Sequence, residues 1–152
     1  MEKITKELEV GIAKDKAFRK FLSELNEWWP KEYTWSQDKL KEIRINRQKD
    51  GLCTEIGPCG FRCDWGRVTE LIENEKIKLK WQISPKREPV PDPEKASDIE
   101  IGFKDNKGLT KVEFVHRNFE NHGEGAEDYR NVMNGEQGWV YILNAYKKYC
   151  EM

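Results

Sequence analysis

Two histidines, His116 and His122, are the side chains of this sequence best suited to moving a proton near neutral pH. His116 continues the alternation of Val112 and Phe114, which predicts an inward-facing imidazole. There it could act as a general acid or base, anchor a polar ligand, or serve as a core group bonded to a backbone carbonyl or a carboxylate. His122 stands between Glu120 and Glu124, with Arg117 before them. Neither His-x3-His nor His-Glu-x-x-His spacing accompanies it, so a solvated loop is expected rather than a metal site. The cysteines are Cys53, Cys59, Cys63 and Cys150. Only Cys59-x3-Cys63 approaches a zinc knuckle, and no second knuckle follows. A Cys53–Cys63 disulfide across neighbouring strands stays geometrically open. Free thiols are the default expectation, because Met1 to Val10 does not read as a signal peptide and a cytoplasmic chain is reduced. Neither a nucleophile elbow nor a phosphate-binding loop is present. Gly57-Pro58-Cys59-Gly60 lacks the Lys-Ser/Thr that such a loop needs. No metal and no cofactor are expected.

A second set of residues could shape a pocket. Trp65 and Trp81 fall on successive predicted strands, and indoles supply a broad apolar wall with one N–H donor each. Trp81 shares parity with Leu79 and Ile83 and is predicted inside. Trp65 is ambiguous: its parity mates are Cys63 and Arg67, while Gly66 and Val68 suit a buried face equally well. Arg47 and Glu55 lie on facing hairpin strands. Inside a cavity they would pair and orient a polar substrate, whereas outside they would form an ordinary surface ion pair. Arg47 has the parity of Ile43 and Ile45, which favours inward. Glu55 has the parity of Cys53, against Leu52 and Ile56, which favours outward. Trp28 and Trp29 could frame a cavity mouth, with at least one of them buried or at an interface.

These residues need elements to position them. Ile4, Leu8, Val10 and Ile12 alternate as a half-buried strand. Asp15 is placed to cap a helix carrying Phe18, Phe21, Leu22 and Leu25. Strands follow around Ile43–Arg47, Leu52–Ile56, Arg62–Ile72, Ile77–Ile83, Ile99–Phe103 and Val112–His116. Turns at Lys49-Asp50-Gly51, Glu73-Asn74-Glu75 and Asp105-Asn106-Lys107-Gly108 separate several of them. Pro85, Pro89, Pro91 and Pro93 mark an irregular loop between two of these strands. Ala126, Tyr129, Val132 and Met133 have helical spacing. Asn134-Gly135 interrupts it, and a closing helix then carries Trp139, Ile142, Leu143 and Tyr146. The order is α+β: a curved antiparallel sheet wrapped around a long C-terminal helix, with a short helix after the first strand. A helix covering only part of a concave sheet leaves a gap that can hold a ligand.

The chain has 152 residues, enough for one domain over 1–152. Six tryptophans argue against disorder. Lys and Arg number 27 against 28 Asp and Glu, so no basic footprint points to nucleic acid. No apolar run approaches the about 18 residues of a membrane span.

Several segments, taken in order, resemble the START/Bet v 1 superfamily of helix-grip domains. Within it the chain is similar to the branch named for activator-of-Hsp90-ATPase homologues, many of them stand-alone bacterial proteins. The segments are Cys63-Asp64-Trp65-Gly66-Arg67-Val68, Trp81-Gln82-Ile83, Thr110 to Arg117, Phe119 to Gly125, and Gly138-Trp139. The resemblance spans essentially the whole chain and implies the helix-grip fold. Its members include binding proteins and hydroxylated-polyketide cyclases, so it does not by itself fix an activity. The Hsp90 activators pair this domain with a separate N-terminal one, which is not expected here, and an Hsp90-stimulating role is not expected either.

Three functional readings follow. The first is binding of a small apolar or aromatic ligand, with Trp65, Trp81, Phe114 and Trp139 as walls and His116 and Arg47 as polar anchors. The second is a cyclase- or hydrolase-type enzyme using His116, with Arg47 and Glu55 orienting the substrate. The third is a protein-interaction module. A binder calls for an apolar cavity with one or two anchors, an enzyme for an open pocket with convergent titratable groups, and an interaction module for a filled core with an exposed patch. A homodimer stays open.

Overall fold

A computed structural model describes residues 1–152. Seven strands form one antiparallel sheet: β1 (Ile4–Val10), β2 (Glu42–Ile45), β3 (Leu52–Ile56), β4 (Arg62–Ile72), β5 (Lys76–Trp81), β6 (Ser97–Asn106) and β7 (Leu109–Arg117). Their spatial order is β1-β7-β6-β5-β4-β3-β2. Strands 2 to 7 are therefore a meander, and β1 closes onto its far end. The meander follows from local turn chemistry. Lys107 and Gly108 both take positive φ, as a two-residue hairpin loop with the twist of its flanking strands requires. Bulges between Cys53 and Thr54 and between Val68 and Glu70 bend the middle of the sheet. The result is a curled half-barrel.

The concave face is apolar because the alternation is clean: Ile77, Leu79 and Trp81 on β5 and Val112, Phe114 and His116 on β7 are all buried. Helices α1 (Lys14–Leu22), α2 (Leu25–Trp28), α3 (Ala126–Asn134) and α4 (Trp139–Cys150) fill and rim it. Phe21 of α1 meets Tyr146 of α4 edge to face at 4.8 Å, and the Tyr146 hydroxyl donates to the Ala17 carbonyl at 2.7 Å. No helix is long and apolar enough to cross a membrane.

One local expectation is corrected. Asp15 does not cap α1. The N-cap is Ala13, and Asp15 lies in the first turn, where its charge complements the helix dipole. The interruption expected at Asn134-Gly135 is present: the C-terminal helical segment runs as α3 and α4, separated at Gly135–Gly138. The second glycine explains the break. A Cβ on Gly138 would sit 2.3 Å from the Met133 carbonyl oxygen, so only glycine lets the chain fold back this tightly before α4. Gly66 plays the same part in the sheet, where a Cβ would lie 2.7 Å from the Lys80 carbonyl oxygen.

Candidate functional site

A cavity of about 390 Å³ lies between β3–β5, the segment 31–39, and the α3–α4 junction. Sheet, hairpin and helices each contribute. Trp65 comes from β4 and Trp81 from β5. Trp29 follows α2, Ile83 and Arg87 come from the proline-rich loop, and Val132, Met133, Gly138 and Ile142 come from α3, α4 and the break between them. Four tryptophans line it: Trp29, Trp35, Trp65 and Trp81. Trp29 and Trp65 stack at 6.0 Å, and Trp81 packs against Trp65 at 5.8 Å. Trp65 therefore faces inward, which its ambiguous parity left open.

The mouth is crossed twice. The Tyr33 hydroxyl donates to the Gln137 carbonyl at 2.6 Å, and the Trp35 indole donates to the Arg87 carbonyl at 2.8 Å. Segment 31–39 is thus tied to the α3–α4 junction on one side and to the proline-rich loop on the other. It is fastened from below by Glu55, which accepts from the backbone N–H groups of Trp35 and Ser36 and from the Ser36 hydroxyl.

Arg47 and Glu55 exchange the positions expected of them. Glu55 is buried and lines the cavity. Arg47 lies beyond the end of β2 and away from the cavity, bonded to Ser23 at 2.7 Å and paired with Glu73 at 2.6 Å. Alternation itself holds along β3: Glu55 and Cys53 stand opposite the buried Ile43 and Ile45 and share their inward face, while Leu52 and Ile56 take the half-buried other side. Arg47 follows the last paired residue, where alternation no longer constrains it.

His116, Phe114 and Trp139 do not line the cavity; they sit one layer behind Trp81. The Trp81 ring is 5.2 Å from Trp139 and 6.0 Å from His116, and Trp139 is 4.5 Å from Phe114. His116 is fully buried with both ring nitrogens committed. The Trp139 indole donates to Nδ1 at 3.0 Å, and Nε2 lies 2.6 Å from the Ser97 hydroxyl. An indole is only a donor, so Nδ1 accepts and Nε2 carries the proton. His116 therefore donates to Ser97, and Ser97 donates onward to His122 Nε2 at 2.8 Å. His122 then carries its proton on Nδ1, a buried atom with no partner. Every bond in this chain points the same way. Burial holds His116 well below the ordinary imidazole range, with His122 beside it adding to the effect, and burial also lowers His122. His122 is thus part of a buried network rather than a solvated loop. Ser97, the hub, carries no sequence signal beyond its place at the start of β6. Tyr33 and Trp35 carry no sequence signal either, because segment 31–39 folds as two short 3-10 turns with no apolar period.

The four cysteines are free. Cys53 lies opposite Gly66 and Cys63 opposite Glu55, so the two are not register partners. Burial raises the Cys53 thiol to about 12 and Cys63 to about 11, and it raises Cys150 as well. Cys59 alone is exposed. At pH 8 the native protein is expected to give one fast equivalent with a disulfide reagent such as DTNB, and four after denaturation. Two fast equivalents in the native state would contradict this arrangement.

The chain matches the family model described as Activator of Hsp90 ATPase homolog 1-like protein over residues 23–151. Three solved structures share the fold. The anthrahydroquino-gamma-pyrone synthase Txn09 is 24% identical with a TM-score of 0.68, over 97% of this chain and 96% of that one. The self-sacrificing resistance protein CalC from Micromonospora echinospora is 21% identical with a TM-score of 0.66, over 98% and 94%. A protein solved as the Aha1 dimer from Colwellia psychrerythraea is 17% identical with a TM-score of 0.66, over 100% and 98%. Comparison with curated proteins finds no match.

Proposed function

This chain belongs to the Activator of Hsp90 ATPase homolog 1-like protein family, and from that premise we propose that it binds a small, largely apolar or aromatic ligand between the sheet and the C-terminal helices. The observation that carries this reading is the cavity of about 390 Å³ walled by four tryptophans. That volume lies within the range of small-molecule sites, and an indole lining suits a planar aromatic guest. Trp65 and Trp81 are the principal walls in this proposal. The likeness to a synthase and a resistance protein is compatible with it, since both share the fold. A catalytic role for His116 is less well supported, because its two nitrogens are spent on Trp139 and Ser97 and it does not reach the cavity. Residence in the cytoplasm and assembly as a homodimer belong to the same proposal. Unpaired thiols suit a reducing compartment, and a member of the same fold was solved as a dimer.

The test begins with native mass spectrometry of the protein as purified, followed by denaturing extraction of any bound compound. Calorimetric titration with naphthalene then probes the cavity. A stoichiometric co-purifying molecule, or saturable one-to-one binding of naphthalene, is expected. A clean mass together with no saturable binding would sink the reading.

A further inference from the structure

We propose that the ligand presents a hydroxyl or another hydrogen-bond donor, and that Glu55 is the group that accepts it. This rests on the cavity-binding reading and adds the chemical class of the guest. Glu55 is 1% exposed, yet no lysine or arginine forms an ion pair with it. A carboxylate this deep needs hydrogen bonds in place of a counter-charge. A carboxylate offers about four acceptor sites. Oε2 uses two of them, on the Ser36 N–H at 2.7 Å and the Ser36 hydroxyl at 2.7 Å. Oε1 uses one, on the Trp35 N–H at 3.1 Å. One acceptor site on Oε1 is therefore open, on a side chain that lines the cavity.

Three other oxygen-bearing side chains of the lining are already engaged, and Gln137 is exposed at the rim. The Tyr33 hydroxyl is spent on Gln137, the Thr34 hydroxyl on Lys31, and the Glu32 carboxylate accepts from Tyr141 at the surface. Glu55 is thus the buried acceptor of the cavity with capacity to spare, beside the buried indole N–H groups of Trp29 and Trp65, which are donors without a partner. A planar aromatic molecule bearing a phenolic or enolic hydroxyl satisfies both features of the site: its rings meet the indoles and its O–H meets Oε1. A site built to accept a donor discriminates strongly against an analogue that lacks one, because the buried acceptor is then desolvated for nothing.

The test compares three probes of nearly equal shape by calorimetry at pH 7: 2-naphthol, 2-methoxynaphthalene and naphthalene. The wild-type protein is expected to bind 2-naphthol at least about tenfold more tightly than the methyl ether, as a hydrogen bond to a charged acceptor implies. That preference should vanish in Glu55→Gln. It should persist in Ser36→Ala, which removes a bond to Oε2 and spares Oε1. Equal binding of all three probes by the wild type overturns the role of Glu55 and leaves the cavity reading intact. A preference that survives in folded Glu55→Gln overturns it too. Binding of none of the three overturns both. The wild-type comparison needs no variant, so a failure of Glu55→Gln to fold does not remove the test.

Discussion

Replacing His116 with leucine is expected to lower the unfolding free energy by about 3 kcal/mol, read as a shift of the urea midpoint. The two side chains are similar in size, so the loss comes from hydrogen bonding and not from volume. In the variant the Trp139 indole N–H has no acceptor and the Ser97 hydroxyl loses one partner, both in fully buried surroundings. A buried polar group left unsatisfied costs about 1–3 kcal/mol. Trp139 is the first residue of α4, and its ring packs against Trp81 and Phe114, so the loss falls where helix and sheet meet. Because Ser97 and His116 act through one chain of bonds, Ser97→Ala and His116→Leu should be non-additive. The double variant is expected to lose less than the two singles combined. A loss under about 0.5 kcal/mol in His116→Leu would show that the network is incidental to stability.

Acidification should weaken the fold well before its surface carboxylates titrate. Both histidines have folded pKa values below the ordinary 6.5, so the folded state disfavours their protonated forms. At neutral pH and above, folded and unfolded imidazoles are both neutral, and they contribute no pH dependence. As pH falls below 6.5 the unfolded chain takes up protons that the folded chain refuses. Stability therefore falls with pH, at up to about 1.4 kcal/mol per pH unit for each histidine that stays neutral. The loss continues until the pH reaches the folded pKa values. The structural reason is directional. A second proton on His122 turns Nε2 into a donor facing the Ser97 hydroxyl, which now donates to it. Ser97 must then reverse, and the sequence of donors from Trp139 onward is broken. Urea titrations from pH 8 to pH 5 measure this directly. A flat profile down to pH 5 would contradict it, and His116→Leu should reduce the slope.

The strands were legible because period-two alternation is a direct imprint of a half-buried sheet, and β5 and β7 show it without exception. Trp81 and His116 were placed inside on that basis, and both are. Arg47 escapes the rule because β2 ends at Ile45. At Glu55 the alternation holds, but the apolar Leu52 and Ile56 point to the wrong half of it: the facing residues Ile43 and Ile45 set the inward side, which Cys53 and Glu55 share. The roles of interior residues were less legible than their facing. Parity puts His116 inside but cannot distinguish a cavity wall from the layer behind it, which is where His116, Phe114 and Trp139 lie. Segment 31–39 was opaque for a different reason. Its shape is set by bonds to Glu55, Gln137 and Arg87, all distant in sequence, and no local period announces such contacts.

The two bonds that cross the cavity mouth have a consequence for how such a protein diversifies. On the far side of each, the acceptor is a main-chain carbonyl, at Gln137 and at Arg87, and every amino acid provides one. The side chains at positions 87 and 137 can therefore be exchanged by mutation while the closure itself survives. Val132, 57% exposed and also at the rim, is under equally little packing constraint. The glycines at 66 and 138, by contrast, admit no side chain without displacing backbone. Selection for a new guest thus meets a scaffold that resists drift where it must and yields at its entrance, so homologues with the same frame can come to accept different molecules through a few neutral-to-folding substitutions.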